Sequence, residues 1–219
     1  MVRCLSDMFF AGLGLPRDSH RAFLMWKRLA DRGNDEAQDM VGYFLIEGEG
    51  TDRDPGGAEK YFLRSAEQGN ETAMSELALY YSLGMLGCCR DPQKAFYWNR
   101  KLAELGDKRG ELEMMQAYAR GEGVQKDDRQ AVKWAERAAR QDSVEAYLFL
   151  GRASQQGLGT EKNIVEAYKW LALAATHSEA AEAGEARRML DELAAVLRPE
   201  QIQEAKRLAL EWRIRYRSP

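Results

Sequence analysis

Gly157-Leu158-Gly159-Thr160-Glu161-Lys162-Asn163-Ile164-Val165-Glu166-Ala167-Tyr168-Lys169-Trp170-Leu171-Ala172-Leu173-Ala174-Ala175 reads as a turn, a helix cap and an amphipathic helix, in that order. Asn163 has a short side chain that accepts hydrogen bonds from the orphan N–H groups of a first helical turn. Ala167, Trp170, Ala174 and Ala175 stand at +0, +3, +7 and +8, which marks one face of an α-helix and not of a strand. The pattern recurs upstream. Ala22, Ala58, Ala95, Ala131 and Ala167 are separated by 36, 37, 36 and 36 residues. Four residues before each stands Asp18, Asp54, Asp91, Asp127 or Asn163, and three after each stands Met25, Tyr61, Trp98, Trp134 or Trp170. At +7 and +8 come Leu29-Ala30, Ser65-Ala66, Leu102-Ala103, Ala138-Ala139 and Ala174-Ala175. Pro55 and Pro92 follow two of the caps at the first helical position, where a missing N–H costs nothing.

Upstream of each cap lies a glycine pair: Gly12/Gly14, Gly48/Gly50, Gly84/Gly87, Gly121/Gly123 and Gly157/Gly159. The third pair is stretched by one residue, which accounts for the single spacing of 37. Five such pairs at one period, none preceded by a strand, are structural turns and not phosphate loops. A second helix pattern precedes them. Three residues before the first glycine are Phe9, Leu45, Tyr81, Tyr118 and Ser154. Seven before are Leu5, Val41, Leu77, Met114 and Leu150, and eleven before are Met1, Ala37, Ala73, Gly110 and Ala146. Spacings of four trace one stripe along a helix of about three turns. Links such as Arg32-Gly33-Asn34 and Gln68-Gly69-Asn70 suit antiparallel helical neighbours. The expected fold is all-α: about five helix-loop-helix units, stacked because one αα-hairpin cannot bury its apolar face alone.

These residues resemble the Sel-one-like repeats, relatives of the tetratricopeptide repeats. The family pattern is approximately Ala-x3-Leu-Gly-x2-Tyr-x2-Gly-x-Gly-Val-x2-Asp-x3-Ala-x2-Trp-x3-Ala-Ala-x-x-Gly. Ala146 to Gly159 with Asn163, Ala167 and Trp170 follows it closely. So does Tyr118 through Gly121, Gly123, Val124, Asp127, Ala131, Trp134 and Ala138-Ala139. Gly110 replaces a helical alanine, Ser154 replaces the aromatic, and the loop from Gly84 to Gly87 carries on into Cys88 and Cys89. The resemblance implies a right-handed α-solenoid, a single continuous domain with repeats at about 1–33, 34–69, 70–106, 107–142 and 143–178. It also implies a bacterial origin, and that residues 179–219 are capping helices. Leu190, Leu193 and Leu197 mark one of these, and Ile202, Ala205, Leu208 or Ala209, and Trp212 mark a last one opened by Arg198-Pro199-Glu200. Met1 falls where later units have a helical alanine, so the first helix lacks a cap and upstream sequence is expected. An uncovered apolar N-terminal end would drive dimerisation.

The remaining composition narrows function by exclusion. A net charge of −3 argues against nucleic acid, which needs clustered Lys and Arg. Arg213, Arg215 and Arg217 instead complement the dipole of a last helix. No apolar run reaches the roughly 18–20 residues of a membrane span. The N-terminus shows no signal pattern, so the expectation is cytoplasmic for a complete chain, and periplasmic or secreted if a signal was removed. Cys4, Cys88 and Cys89 make no disulfide ladder, and with only His20 and His177 no zinc site or other cofactor site is expected. Cys88 has no histidine near it in sequence, so no catalytic group is assigned and the protein is expected not to be an enzyme.

Trp98, Trp134 and Trp170 are expected to pack between helices, and Lys133, Glu136, Arg137 and Arg140 to be solvated outer surface. Functional side chains are sought off the packing stripe of the first helices, at +2, +6 and +9. There Phe10, Tyr43, Ile46, Leu79 and Leu112 would form an apolar track flanked by Asp39, Gln116 and Arg152. Aromatic anchors with a nearby arginine are the makings of a binding hot spot. The expectation is an adaptor or scaffold holding a protein or peptide partner on a concave face. An inhibitor or immunity protein that neutralises a toxic enzyme, and a structural component of a cell-envelope assembly, are the alternatives.

Overall fold

The computed structural model describes residues 16–87, 89–177 and 181–216. Among them are eleven helices and no strand. The second helix of the first repeat is α1 (Ser19–Ala30), followed by the hairpins α2 (Asp35–Glu47) with α3 (Pro55–Glu67), and α4 (Glu71–Leu83) with α5 (Pro92–Leu105). Then come α6 (Lys108–Arg120) with α7 (Asp128–Arg140), α8 (Val144–Gln156) with α9 (Ile164–Ala175), and the tail helices α10 (Ala181–Ala194) and α11 (Pro199–Tyr216). Phe10, Gly12, Gly14, Cys88 and the expected uncovered N-terminal end lie outside the described residues.

The second helices begin where the acidic caps stand. Asp18, Asp54 and Asp91 accept from the backbone N–H three residues on, of Arg21, Gly57 and Lys94. Asp127 and Asn163 each accept from two N–H groups of the first turn. The first helices carry caps of their own, Asn34, Asn70, Asp107 and Ser143, each accepting from the N–H three residues on. They end on Gly48, Gly84, Gly121 and Gly157, all left-handed with φ of 71 to 78°.

Each turn is then closed by one recurring bond, from the N–H of the next cap to a carbonyl in the last turn before the glycine: Asp54 to Leu45, Asp127 to Tyr118 and Asn163 to Ser154. In the stretched third repeat Asp91 still donates to Tyr81 at 2.9 Å, so the extra residue is accommodated without breaking the closure. The second glycine has a different task. A Cβ on Gly50 would lie 2.3 Å from the carbonyl of Ser19, and one on Gly159 2.1 Å from the oxygen of Asp128. These turns are pressed against the start of the preceding repeat's second helix.

The chain divides into two compact units, residues 1–102 and 103–219, with the boundary in the last turn of α5. In the first, the fully buried Ala22, Ala58, Ala37, Ala73, Val41 and Leu77 form the expected stripes, and Trp26, Phe44 and Phe62 fill between them. A Cβ on Gly42 would sit 2.7 Å from the Phe62 ring, and one on Gly151 in the second unit 2.7 Å from Leu171, so a missing side chain on one helix makes room for a large one on its partner. Ser65, in an otherwise apolar register, is fully buried because its hydroxyl donates to the Asp35 carbonyl of its own repeat at 2.7 Å.

The second unit is built on Ala131, Ala135, Ala146, Leu150, Ala167 and Leu171. Its buried Glu111 is satisfied by Arg137 Nε and by Gln141 Nε2, both at 2.8 Å. Arg137 is therefore half-buried and structural, unlike the exposed Lys133, Glu136 and Arg140. Trp98 and Trp170 are buried, whereas Trp134 is half-exposed with the Arg137 guanidinium 4.5 Å from its ring. In the tail, Ala205 and Ala209 of α11 are buried and Trp212 packs edge-on to Trp170, 4.7 Å between ring centres. Leu197 is buried in the link before α11, after α10 has ended at Ala194.

Candidate functional site

The first helices of the first unit leave one narrow strip uncovered. On α2, Ala37, Gln38, Val41, Gly42, Phe44, Leu45 and Ile46 are all buried, because neighbours pack on it from several sides. Tyr43, 39% exposed, and the exposed Glu47 lie on the strip, with Asp39 half-buried one turn before. On α4 the same register presents Leu79, 37% exposed, and Leu83, 60% exposed. Ile46 is 2% exposed and belongs to the core. The strip continues from +2 and +6 to +10 because residues four apart return to nearly the same angle of a helix, and Ile46 at +9, though near the angle of +2, is covered by a neighbour packed on α2. Counting to +10 in the sequence finds Glu47 and Leu83.

The electrostatics of this strip are acidic. Asp39 has a buried Oδ1 with no hydrogen-bond partner. Burial first, and then the charges of Glu76 and Asp35, push its carboxyl up from the ordinary value to about 6. Burial and a hydrogen bond with Glu76 likewise hold the Tyr80 phenol well above its usual range, with Glu47 and Tyr43 contributing. Such a surface suits an apolar side chain flanked by Lys or Arg.

In the second unit Leu112 is half-buried and packs against the core. Gln116 donates to Glu145 Oε1 at 2.6 Å, and Arg152 forms an ion pair with Glu185. Glu113, beside them on α6, has its carboxyl raised chiefly by burial. Arg120, at +10, is exposed. The polar residues expected to meet a partner here are thus already engaged with their own chain. Among the described residues, no group of His, Cys, Asp and Glu could hold a metal ion, and no helix is long and apolar enough to cross a membrane.

Capped αα-hairpins at a fixed period, joined by left-handed glycine turns, define a helical-repeat protein. The sequence profile of the Sel1 repeat matches residues 5–34, 35–70, 72–107, 116–143 and 144–179, and the chain belongs to that family. It is similar to the Sel1 repeat protein from Oxalobacter formigenes, with a TM-score of 0.70 and 26% identity over 80% of this chain and 51% of that one. It is also similar to a protective antigen of uropathogenic Escherichia coli strains that displays an SLR fold. There the TM-score is 0.54 and the identity 27%, over 98% of this chain and 53% of that one. Among curated proteins, HRD3A of Arabidopsis thaliana, an ERAD-associated E3 ubiquitin-protein ligase component, is 38% identical over 58 residues, 26% of this chain and 9% of that protein. The chain thus spans about half of these two solved proteins and a small part of the curated relative. Sel1 repeats are in general protein-interaction modules.

Proposed function

We propose that the protein is an interaction scaffold that anchors a protein or peptide on the first-helix strip of its first unit. The observation that carries this is the exposure of Tyr43, Leu79 and Leu83 on successive first helices beside an unpaired, part-buried carboxylate, Asp39. Large apolar side chains left open next to a desolvated charge are unfavourable in the free protein and become favourable once a complementary segment covers them. The complementary segment has one or two apolar side chains and a Lys or Arg that meets Asp39, Glu47 and Glu76. Gln116 and Arg152, tied to Glu145 and Glu185, position the second unit's first helices and take a lesser part.

A photo-crosslinking amino acid placed at Tyr43 or at Leu79 tests this, with Lys60 on the outer face of α3 as the control position. One partner crosslinked from both strip positions, not from Lys60, and lost in the Tyr43→Glu, Leu79→Glu variant is the expected result. Crosslinks of equal yield from Lys60, or partners retained by the double variant, would move the binding surface to the second helices.

A further inference from the structure

The register of the repeats exposes one place where the second unit lacks a ring that the first unit has. Tyr81 and Ser154 both stand three residues before the first glycine of their turns. In the third repeat the Tyr81 side chain is 2% exposed and lies between two second helices. Its hydroxyl donates to Glu59 Oε1 of α3 at 2.5 Å, and the Lys94 ammonium of α5 lies 4.7 Å from its ring centre. In the fifth repeat the residues in register with Glu59 and Lys94 are Val132 and Glu166. Val132, Glu166 and Ser154 all line a cavity of about 480 Å³ between α7, α8 and α9, with Trp212 of α11 also in its wall. The serine thus opens between the second helices the slot that a tyrosine fills in the third repeat.

The cavity has one apolar side and a polar rim. Val132, Leu150, Trp170 and Trp212 supply apolar and aromatic walls. Lys169 is 8% exposed, and its charge is already matched by Glu166 at 2.5 Å and by the Trp170 ring at 3.9 Å. Arg140 lies 5.8 Å from the Tyr216 ring. Glu136, on the rim, is an exposed carboxylate without a partner among the described residues. It stands one helical turn beyond Val132 and can accept from a hydroxyl as Glu59 does from Tyr81. Glu161 adds a second rim carboxylate, so an anionic ligand is disfavoured. The volume falls in the range of small-ligand sites. We propose that this cavity is a binding site for a tyrosine side chain of a protein partner, with the ring in the slot beside Ser154 and Val132 and its hydroxyl donating to Glu136. The site is separate from the first-helix strip and does not rest on it.

The test is a titration of the full chain with N-acetyl-tyrosinamide, followed through the indole N–H signals of Trp170 and Trp212. The phenylalanine and phosphotyrosine analogues and p-cresol are run beside it. The tyrosine amide is expected to shift both indoles with a dissociation constant on the order of 1 mM. Phenylalanine should bind several-fold more weakly and phosphotyrosine not at all. Ser154→Tyr should abolish binding by filling the slot, with circular dichroism showing that the helices remain. Should that variant fail to fold, Glu136→Ala decides, since it changes only an exposed rim residue, removes the acceptor and should erase the preference for tyrosine over phenylalanine. Unmoved indoles, undiminished binding to a folded Ser154→Tyr protein, or an intact preference in Glu136→Ala would overturn the proposal. Tighter binding of p-cresol than of the amide would overturn the protein source of the ring and assign the site to a free phenol.

Discussion

With its carboxyl pushed up to about 6, Asp39 changes charge in a range where an ordinary aspartate does not. The folded protein holds this proton more tightly than the unfolded chain, so the unfolded state binds fewer protons between the ordinary carboxylate value and about 6. Stability therefore falls as pH rises through that window and levels off above it. Half-burial screens the effect, so Asp39→Asn should stabilise the protein by about 1–2 kcal/mol at neutral pH and by much less near the ordinary carboxylate value. Urea unfolding at several pH values checks this, and an equal gain at every pH would show that the carboxylate is not strained. A cation from a partner would reverse the shift, so affinity at the strip should rise with pH across the same window. The exposed Tyr43 and Leu79 could be read from the sequence because +6 lies opposite the packing stripe. The burial of Ile46 could not, since it depends on which neighbour lies against α2. The pairings of Gln116 and Arg152 depend on Glu145 and Glu185, which lie 29 and 33 residues away, and no local pattern links them.

At the scale of the element, caps and turns were legible in nearly every unit, because an Asp or Asn before a helix and a glycine after one act locally. The caps of the first helices, Asn34, Asn70, Asp107 and Ser143, carry the same signal three residues before Ala37, Ala73, Gly110 and Ala146. What the sequence hides is that glycines of like backbone shape bear unlike loads. Gly50 and Gly69 both have positive φ, yet a Cβ on Gly69 meets nothing within 4 Å while one on Gly50 strikes the backbone of Ser19. Gly69→Ala should cost about 1 kcal/mol, from backbone conformation alone. Gly50→Ala should cost about 3 kcal/mol, since helix and turn must also move apart. Denaturation midpoints of the two variants separate these contributions, and equal costs would mean that the contact at Ser19 yields freely. Asp142, with φ of 60°, replaces the link glycine in the fourth unit, where its carboxylate accepts from the Tyr147 hydroxyl at 3.1 Å.

Over the whole molecule, each unit has its own core, and stability in repeat arrays is close to a sum of local terms. Phe62→Ala should cost the first unit about 3–5 kcal/mol. Hydrogen exchange should then quicken at the slowest amides of α2 to α4 while those of α8 and α9 keep their protection. Uniform quickening would mean that the two cores open together. The period that reveals the family is a property of the full sequence, whereas the boundary after Leu102 leaves no mark in that period. The closed turn of the third repeat carries one more consequence. Because Asp91 still reaches the Tyr81 carbonyl around an additional residue, the distance between a pair of helices is set by the bond and not by the length of chain between its two ends. The exposed end of that turn, at Cys89 and Arg90, is a natural splice point: a foreign epitope or a reporter tag could be threaded there, and the helices on either side would keep their alignment.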